Sequence, residues 1–67
     1  MDKLQQRLLT RAEVAQLLGV EEKTLRNWRW RSYGPPSFRV GKGVRYRAQE
    51  VDRWVAQQEA SEPRGAA

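Results

Sequence analysis

The side chains of this 67-residue sequence that are best suited to binding a charged partner are basic, and they are concentrated in one segment. From Lys23 to Arg47 there are eight lysine or arginine residues and no acid, whereas the remainder carries five basic and eight acidic residues. Guanidinium and ammonium groups are the donors that proteins use to bind phosphate. Because the net charge of +5 arises from this segment, the distribution favours a polyanionic partner. The alternative is a solvated basic face that has no partner.

Catalytic and metal-binding chemistry has little support in the same sequence. It contains no histidine and no cysteine, and it has neither a serine in a nucleophile setting nor a phosphate-binding glycine motif. The acidic residues fit helix caps and helix surfaces rather than a metal cluster. We therefore expect no enzymatic activity, no cofactor and no small-molecule ligand.

Length and hydropathy restrict the class of protein further. A chain of this size forms one domain, and its stability must come from one small core because no disulfide can form. No apolar run is long enough for a signal sequence or a membrane span. We expect a soluble, non-exported protein that does not interact with membranes.

The first element expected to position the basic segment is a short helix. Thr10, followed three residues later by Glu13, predicts a capping box, and Gly19 predicts the left-handed residue that ends the helix. The apolar residues in between share one side at helical spacing: Val14, Ala15, Leu17 and Leu18.

A second helix is predicted over residues 22–31, with one apolar and one polar side. Leu25 and Trp28 fall on the side that would face the domain. The opposite side carries Lys23, Arg26, Asn27, Trp30 and Arg31. A large apolar ring on this charged side needs an explanation. Trp30 either packs against the following loop or the strands predicted after it, or contacts a partner, which would be the sugars of DNA or a neighbouring protomer.

Residues 38–47 alternate with a period of two around a Gly-Lys-Gly turn, which predicts a β-hairpin. One face would be apolar, formed by Phe38, Val40, Val44 and Tyr46. The other face would be basic, formed by Arg39, Arg45 and Arg47, with Lys42 at the tip. The alternative is that these arginines are ordinary exposed residues that discourage edge-to-edge strand pairing.

A third amphipathic helix is predicted over residues 48–58, with Val51, Trp54 and Val55 on its buried side. Four aromatic residues are expected to belong to the core, with Trp28 and Trp54 packed together: Trp28, Phe38, Tyr46 and Trp54. Residues 60–67 are polar and predict a disordered tail.

Two short helices joined by a glycine turn form a helix-turn-helix, whose second helix normally enters the DNA major groove. Arginine and asparagine on that helix can bind guanine and adenine through paired hydrogen bonds. The predicted fold is therefore mainly α with a small β-hairpin. It is a winged helix-turn-helix of three helices plus a two-stranded wing over residues 8–59, preceded by an N-terminal extension over residues 1–7. RNA binding and protein interaction are the less favoured alternatives.

The segments "LLTRAEVAQLLGVEEKTLRNWR" and "GPPSFRVGKGVRYRAQEVDRWV" resemble the small excisionase and AlpA-type proteins of the mercury-resistance-regulator (MerR) superfamily. The resemblance runs from Leu8 to near Gln57. It implies DNA binding by the second helix and the wing, in phages, plasmids or bacterial genomes. It further implies a role as a recombination directionality factor or as a small transcription regulator.

The resemblance also implies partners and a location. The chain lacks the long dimerisation helix of full-length MerR regulators, so protomers are expected to assemble side by side on double-stranded DNA. An excisionase would act with an integrase, either a tyrosine or a serine recombinase, in the cytoplasm and associated with the nucleoid. The residues predicted to bind DNA are Thr10, Arg11, Lys23, Thr24, Arg26, Asn27, Trp30, Arg31, Arg39, Lys42, Arg45 and Arg47.

Overall fold

The computed structural model describes residues 7–62, which form three helices and a small antiparallel sheet. The elements in chain order are β1 (Leu8–Thr10), α1 (Arg11–Leu18), α2 (Glu22–Trp30), β2 (Phe38–Val40), β3 (Gly43–Arg47) and α3 (Ala48–Ser61). This arrangement confirms the predicted fold class, mainly α with a small β element and consistent with a winged helix-turn-helix. Residues 1–6 of the predicted N-terminal extension and residues 63–67 of the predicted tail lie outside the described residues.

Helix α1 begins and ends where the sequence predicts. The Thr10 backbone N–H donates to Glu13 Oε1 at 2.8 Å, and the Glu13 backbone N–H donates to Thr10 Oγ1 at 3.1 Å. Gly19 adopts φ 71°, so its left-handed conformation ends the helix and starts the turn to α2. This tight turn places α2 directly after α1, as a helix-turn-helix requires.

The sheet contains a strand that the sequence analysis did not predict. The strand order is β1-β3-β2, and β1 pairs antiparallel with β3 so that Leu9 lies opposite Tyr46. The pairing is extended by the Ala48 N–H, which donates to the Arg7 carbonyl at 2.9 Å. The residues before α1 therefore fix β3, and β3 leads without a linker into α3.

The predicted faces of the β2–β3 hairpin are wrong. Val40 pairs with Gly43, so the loop contains only Gly41 and Lys42 rather than a three-residue Gly-Lys-Gly turn. Since side chains alternate along a strand, this difference of one residue in loop length moves the side chains of one strand to the opposite face of the sheet, relative to those of the other strand. Arg39 therefore shares a face with Val44 and Tyr46.

The other face of the hairpin combines apolar and basic residues. Phe38 lies opposite Arg45, and Arg47 lies over the Phe38 ring at 5.4 Å from its centroid. Phe38 is half-buried there, and it is not part of the core. The expected division into one apolar and one basic face therefore does not occur.

The core lies between the helices and the inner face of the sheet. Its buried members are Leu9, Val14, Ala15, Leu25, Tyr46 and Val51. Two residues assigned to apolar helix sides point elsewhere, since Leu17 is 66% exposed and Val55 is 38% exposed. Leu17 lies at the edge of its helix's apolar stripe, and Val55 lies one turn beyond Val51, so a small domain has no further element to cover either side chain fully.

Helix α3 packs against α2 through aromatic rings. Trp28 contacts Trp54 and Tyr33, and all three side chains remain partly accessible. The helix continues to Ser61, so residues 60–61 are helical rather than part of a disordered tail. No helix within residues 7–62 is long and apolar enough to cross a membrane.

The loop after α2 depends on two unusual backbone conformations. The Tyr33 N–H donates to the Trp28 carbonyl at 2.8 Å, while Ser32 adopts a left-handed φ of 54°. This is the hydrogen-bond pattern of a Schellman motif, with serine in the position usually occupied by glycine. Gly34 follows with φ 90°, and a Cβ atom there would lie 2.8 Å from Trp28 Cε3.

Candidate nucleic-acid interface

The exposed side of α2 carries the polar residues that the helical spacing predicts. Leu25 is 1% exposed and Trp28 is half-buried, so the opposite side of the helix holds α2 to the domain. All the residues assigned to the polar side are exposed: Lys23, Arg26, Asn27, Trp30 and Arg31. The predicted division of α2 into two faces is therefore confirmed. Hydrogen-bond donors on this side are available to a partner.

An open groove lies between α2, the beginning of α1 and the wing. It is lined by Arg11, Arg26, Arg29, Trp30, Arg39 and Val44. Four arginines and no acid line it, and they come from three different elements. Guanidinium groups that line one groove repel one another, and an anion bound among them relieves this repulsion. The groove therefore suits phosphate groups better than any neutral ligand.

Arg11 is the least exposed of the four arginines that line this groove. It is half-buried, and its Nε is buried without a hydrogen-bond partner within the described residues. A buried donor without an acceptor costs free energy. An anion that entered the groove could reach the outer nitrogens of the same guanidinium group.

Arg29 was not among the predicted DNA-binding residues, although it lines the groove. Its Nε donates to Ser37 Oγ at 2.9 Å, which connects α2 to the residue before β2. On a helical wheel Arg29 falls next to Leu25, beside the apolar side of α2, so helical spacing does not single it out. The sequence feature that could have identified Arg29 is its place in the segment from Lys23 to Arg47, which contains no acid.

The three arginines of the hairpin separate into two groups. Arg39 faces the groove beside α2, because its strand register places it with Val44. Arg45 and Arg47 lie on the opposite face of the sheet, where Arg45 Nη1 donates to the Val44 carbonyl at 3.0 Å. The structure therefore continues the basic surface of α2 into the wing through Arg39.

Lys42 is exposed at the tip of the wing, as predicted. The preceding residue, Gly41, has φ 61°, and a Cβ atom there would meet nothing within 4 Å. Glycine at the first loop position with positive φ is typical of a type II′ hairpin turn. The turn therefore presents the Lys42 side chain to solvent on a narrow backbone.

The two threonines among the predicted contacts occupy helix starts. The Thr10 hydroxyl accepts the Glu13 backbone N–H, so it already serves as the cap of α1. Thr24 is half-buried in the first turn of α2.

The pKa of Glu13 is lowered, first by the hydrogen bond from the Thr10 backbone N–H and also by the charges of Arg7 and Arg45.

The fold and the groove together define a helix-turn-helix domain with a wing and an electropositive recognition side. The sequence matches the helix-turn-helix domain family over residues 8–59. Because this match covers most of the chain, the protein belongs to that family, and the family supports DNA binding. A comparison with curated proteins finds no match.

Proposed function

We propose that the protein binds double-stranded DNA in a sequence-dependent way, with α2 in the major groove and the wing on the adjacent backbone. The observation that carries this proposal is the groove in which four arginines from α1, α2 and β2 meet without an acid. DNA offers a regular array of phosphates that matches a basic surface extending over several elements.

The proposed contacts divide by chemistry. Arg26 and Asn27, with Lys23, lie on the exposed side of α2 and are proposed to contact base edges. Phosphates are proposed to bind Arg11, Arg29 and Arg39, the remaining arginines of the groove. Base contacts give specificity, whereas phosphate contacts give affinity and register.

The remaining predicted contacts, apart from one, do not line the groove. They are Thr10, Thr24, Trp30, Arg31, Lys42, Arg45 and Arg47, of which only Trp30 lines it. Arg45 and Arg47 would reach DNA from the outer face of the wing. Lys42 at the wing tip is proposed to reach a phosphate or the minor groove. This function is binding without catalysis, and it requires no cofactor or small-molecule ligand.

The binding proposal is tested by selecting a duplex from random sequences and measuring affinity by fluorescence anisotropy from low to high salt. Phosphate contact makes the logarithm of affinity fall linearly with the logarithm of salt concentration. Arg39→Ala should reduce the slope by roughly one. Arg53→Ala is the matched control, because it removes the same charge from α3 outside the groove. Salt-independent binding, or tighter binding to single-stranded RNA, would refute the proposal.

The finer proposal is that the protein is an excisionase, a recombination directionality factor. Its support is the resemblance of residues 8–57 to excisionase and AlpA-type proteins.

One domain of this size reads a short site, and specificity on a genome requires more contacts. We therefore propose cooperative assembly of several copies on DNA, which bends the DNA and promotes integrase-mediated excision of a prophage. It would act with a tyrosine or serine recombinase in the cytoplasm, on the nucleoid. The alternative is a small transcription regulator.

Assembly and role are separated by two measurements. Sedimentation should give a monomer in free solution, and band shifts on duplexes with one, two and three repeats should show cooperative loading. Independent filling of the repeats would contradict the assembly proposal. Cooperative loading without any change in the direction of recombination, assayed with an integrase encoded beside its gene, would favour the regulator.

A further inference from the structure

We infer that Trp30 packs against a deoxyribose of the DNA backbone, at the point where that strand passes between α2 and the wing. The inference rests on the proposed function and adds the part of the DNA that this side chain recognises.

The first observation is the exposure of Trp30. Its side chain is 84% exposed, whereas Trp28 and Trp54 are half-buried against each other. No ring contact of Trp30 occurs within residues 7–62. The structure therefore does not support the first alternative, in which Trp30 packs against the loop or the wing. A large, rigid apolar surface is left available to a partner.

The second observation is the position of Trp30 along α2. It is the last residue of the helix and lies seven residues after Lys23, which corresponds to roughly 10 Å along the axis. The N-terminal residues of a recognition helix contact base edges. The C-terminal end of such a helix emerges from the major groove, where it meets the sugar-phosphate backbone rather than the bases.

The third observation is the set of residues that surround Trp30. It lines the groove with Arg26 and Arg29 from its own helix, and with Arg39 and Val44 from the wing. Each deoxyribose in a strand lies between two phosphates. A flat apolar ring flanked by guanidinium groups is therefore complementary to an apolar sugar flanked by anions. The indole N–H can also donate to a phosphate oxygen.

This geometry favours a sugar over the other possible occupants. Stacking on a base would require that base to leave the duplex stack, which costs free energy. A neighbouring protomer would have to bring its own surface against a groove lined by four arginines. A sugar requires neither. Because sugars are the same at every position, the contact should add affinity without base preference.

The test compares Trp30→Ala with Trp30→Phe and with Leu17→Ala, on a duplex that carries a single binding site. Leu17 is the matched control, since it is another exposed apolar residue on a helix and does not line the groove. Trp30→Ala should weaken binding about 3- to 10-fold, with an unchanged salt slope. The loss should be equal on duplexes with altered base pairs. Trp30→Phe should retain most of the affinity, and Leu17→Ala should have no effect.

Fluorescence gives a second measurement. Acrylamide should quench the Trp30 emission in free protein, identified as the difference between wild type and Trp30→Phe, and bound DNA should protect it. Unchanged single-site affinity of Trp30→Ala would overturn the inference. So would a loss confined to one base pair, which indicates base reading, or to duplexes with several repeats, which indicates a protomer contact. If the wild type itself fails to bind duplex DNA, the proposed function fails as well. If the wild type binds and Trp30→Ala binds equally tightly, only the role of Trp30 is overturned.

Discussion

The rings of Trp28 and Trp54 lie 5.6 Å apart, measured between centroids, and this contact joins α2 to α3. Tyr33 completes the aromatic cluster, with its ring edge-to-face against both indoles at 5.1 and 5.8 Å. The side of α2 opposite the groove is thus held by a helix that does not line the groove. The cluster therefore fixes the orientation in which α2 presents Arg26 and Asn27.

We expect Trp54→Ala to lower the free energy of unfolding by roughly 2 kcal/mol, less than for a fully buried tryptophan because Trp54 is only half-buried. Trp30→Ala should change it by less than about 0.5 kcal/mol, because that ring is 84% exposed. Urea denaturation of both variants checks the pair. Equal destabilisation would contradict the assignment of the cluster.

Gly34 should tolerate alanine less well than Gly41. Both have positive φ, so alanine at either position costs about 1 kcal/mol of backbone strain. Only at Gly34 does the new Cβ also meet a ring, at 2.8 Å from Trp28 Cε3. Gly34→Ala should therefore lose roughly 1 kcal/mol more than Gly41→Ala. The melting temperatures of the two variants check this prediction. Equal melting temperatures would contradict it, because they would show that the Trp28 ring moves aside without cost.

The stability of the domain should depend on Glu13 at neutral pH and not in acid. Its pKa is lowered from 4.5 in the folded chain, chiefly by the hydrogen bond from the Thr10 backbone N–H. The contribution is therefore present above the unfolded value of 4.5 and is lost as the pH falls through the lower folded pKa. Glu13→Gln should be less stable than wild type at pH 7, and the difference should shrink in acid. A difference that is constant with pH would exclude this origin.

Lys42→Ala should weaken binding to all duplexes by a similar factor. Lys42 stands exposed at the wing tip, where a phosphate contact carries little information about the bases. The salt slope should fall by about one if a single phosphate contact is lost. Arg53→Ala, on α3, serves as the control for loss of charge alone. An unchanged slope together with altered base preference would assign Lys42 a base-reading role instead.

The parts of the fold that the sequence predicts best are those determined by local chemistry. The capping box of Thr10 and Glu13 and the left-handed Gly19 each depend on a few adjacent residues, and both occur where predicted. The two faces of α2 follow in the same way from helical spacing. Tertiary context decides the remainder.

The hairpin shows why local pattern is insufficient. Gly-Lys-Gly is compatible with a two-residue or a three-residue loop, and the choice decides whether Phe38 or Arg39 faces the inside. Strand β1 is only three residues long and carries no periodicity, so its pairing with β3 is visible only in three dimensions. Arg11 and Arg39 meet for the same reason, because the groove is formed by elements distant in sequence.

The central claim is that α2 reads DNA with its exposed side, and Arg26→Ala and Asn27→Ala test it most directly. Both affinity for the selected duplex and free energy of unfolding should be measured for each variant. We predict an affinity loss of roughly 1–3 kcal/mol for each, concentrated at particular base pairs. The free energy of unfolding should change by less than about 0.5 kcal/mol, because both side chains are exposed. Unaltered affinity for the selected duplex, together with a large loss of stability, would contradict the claim.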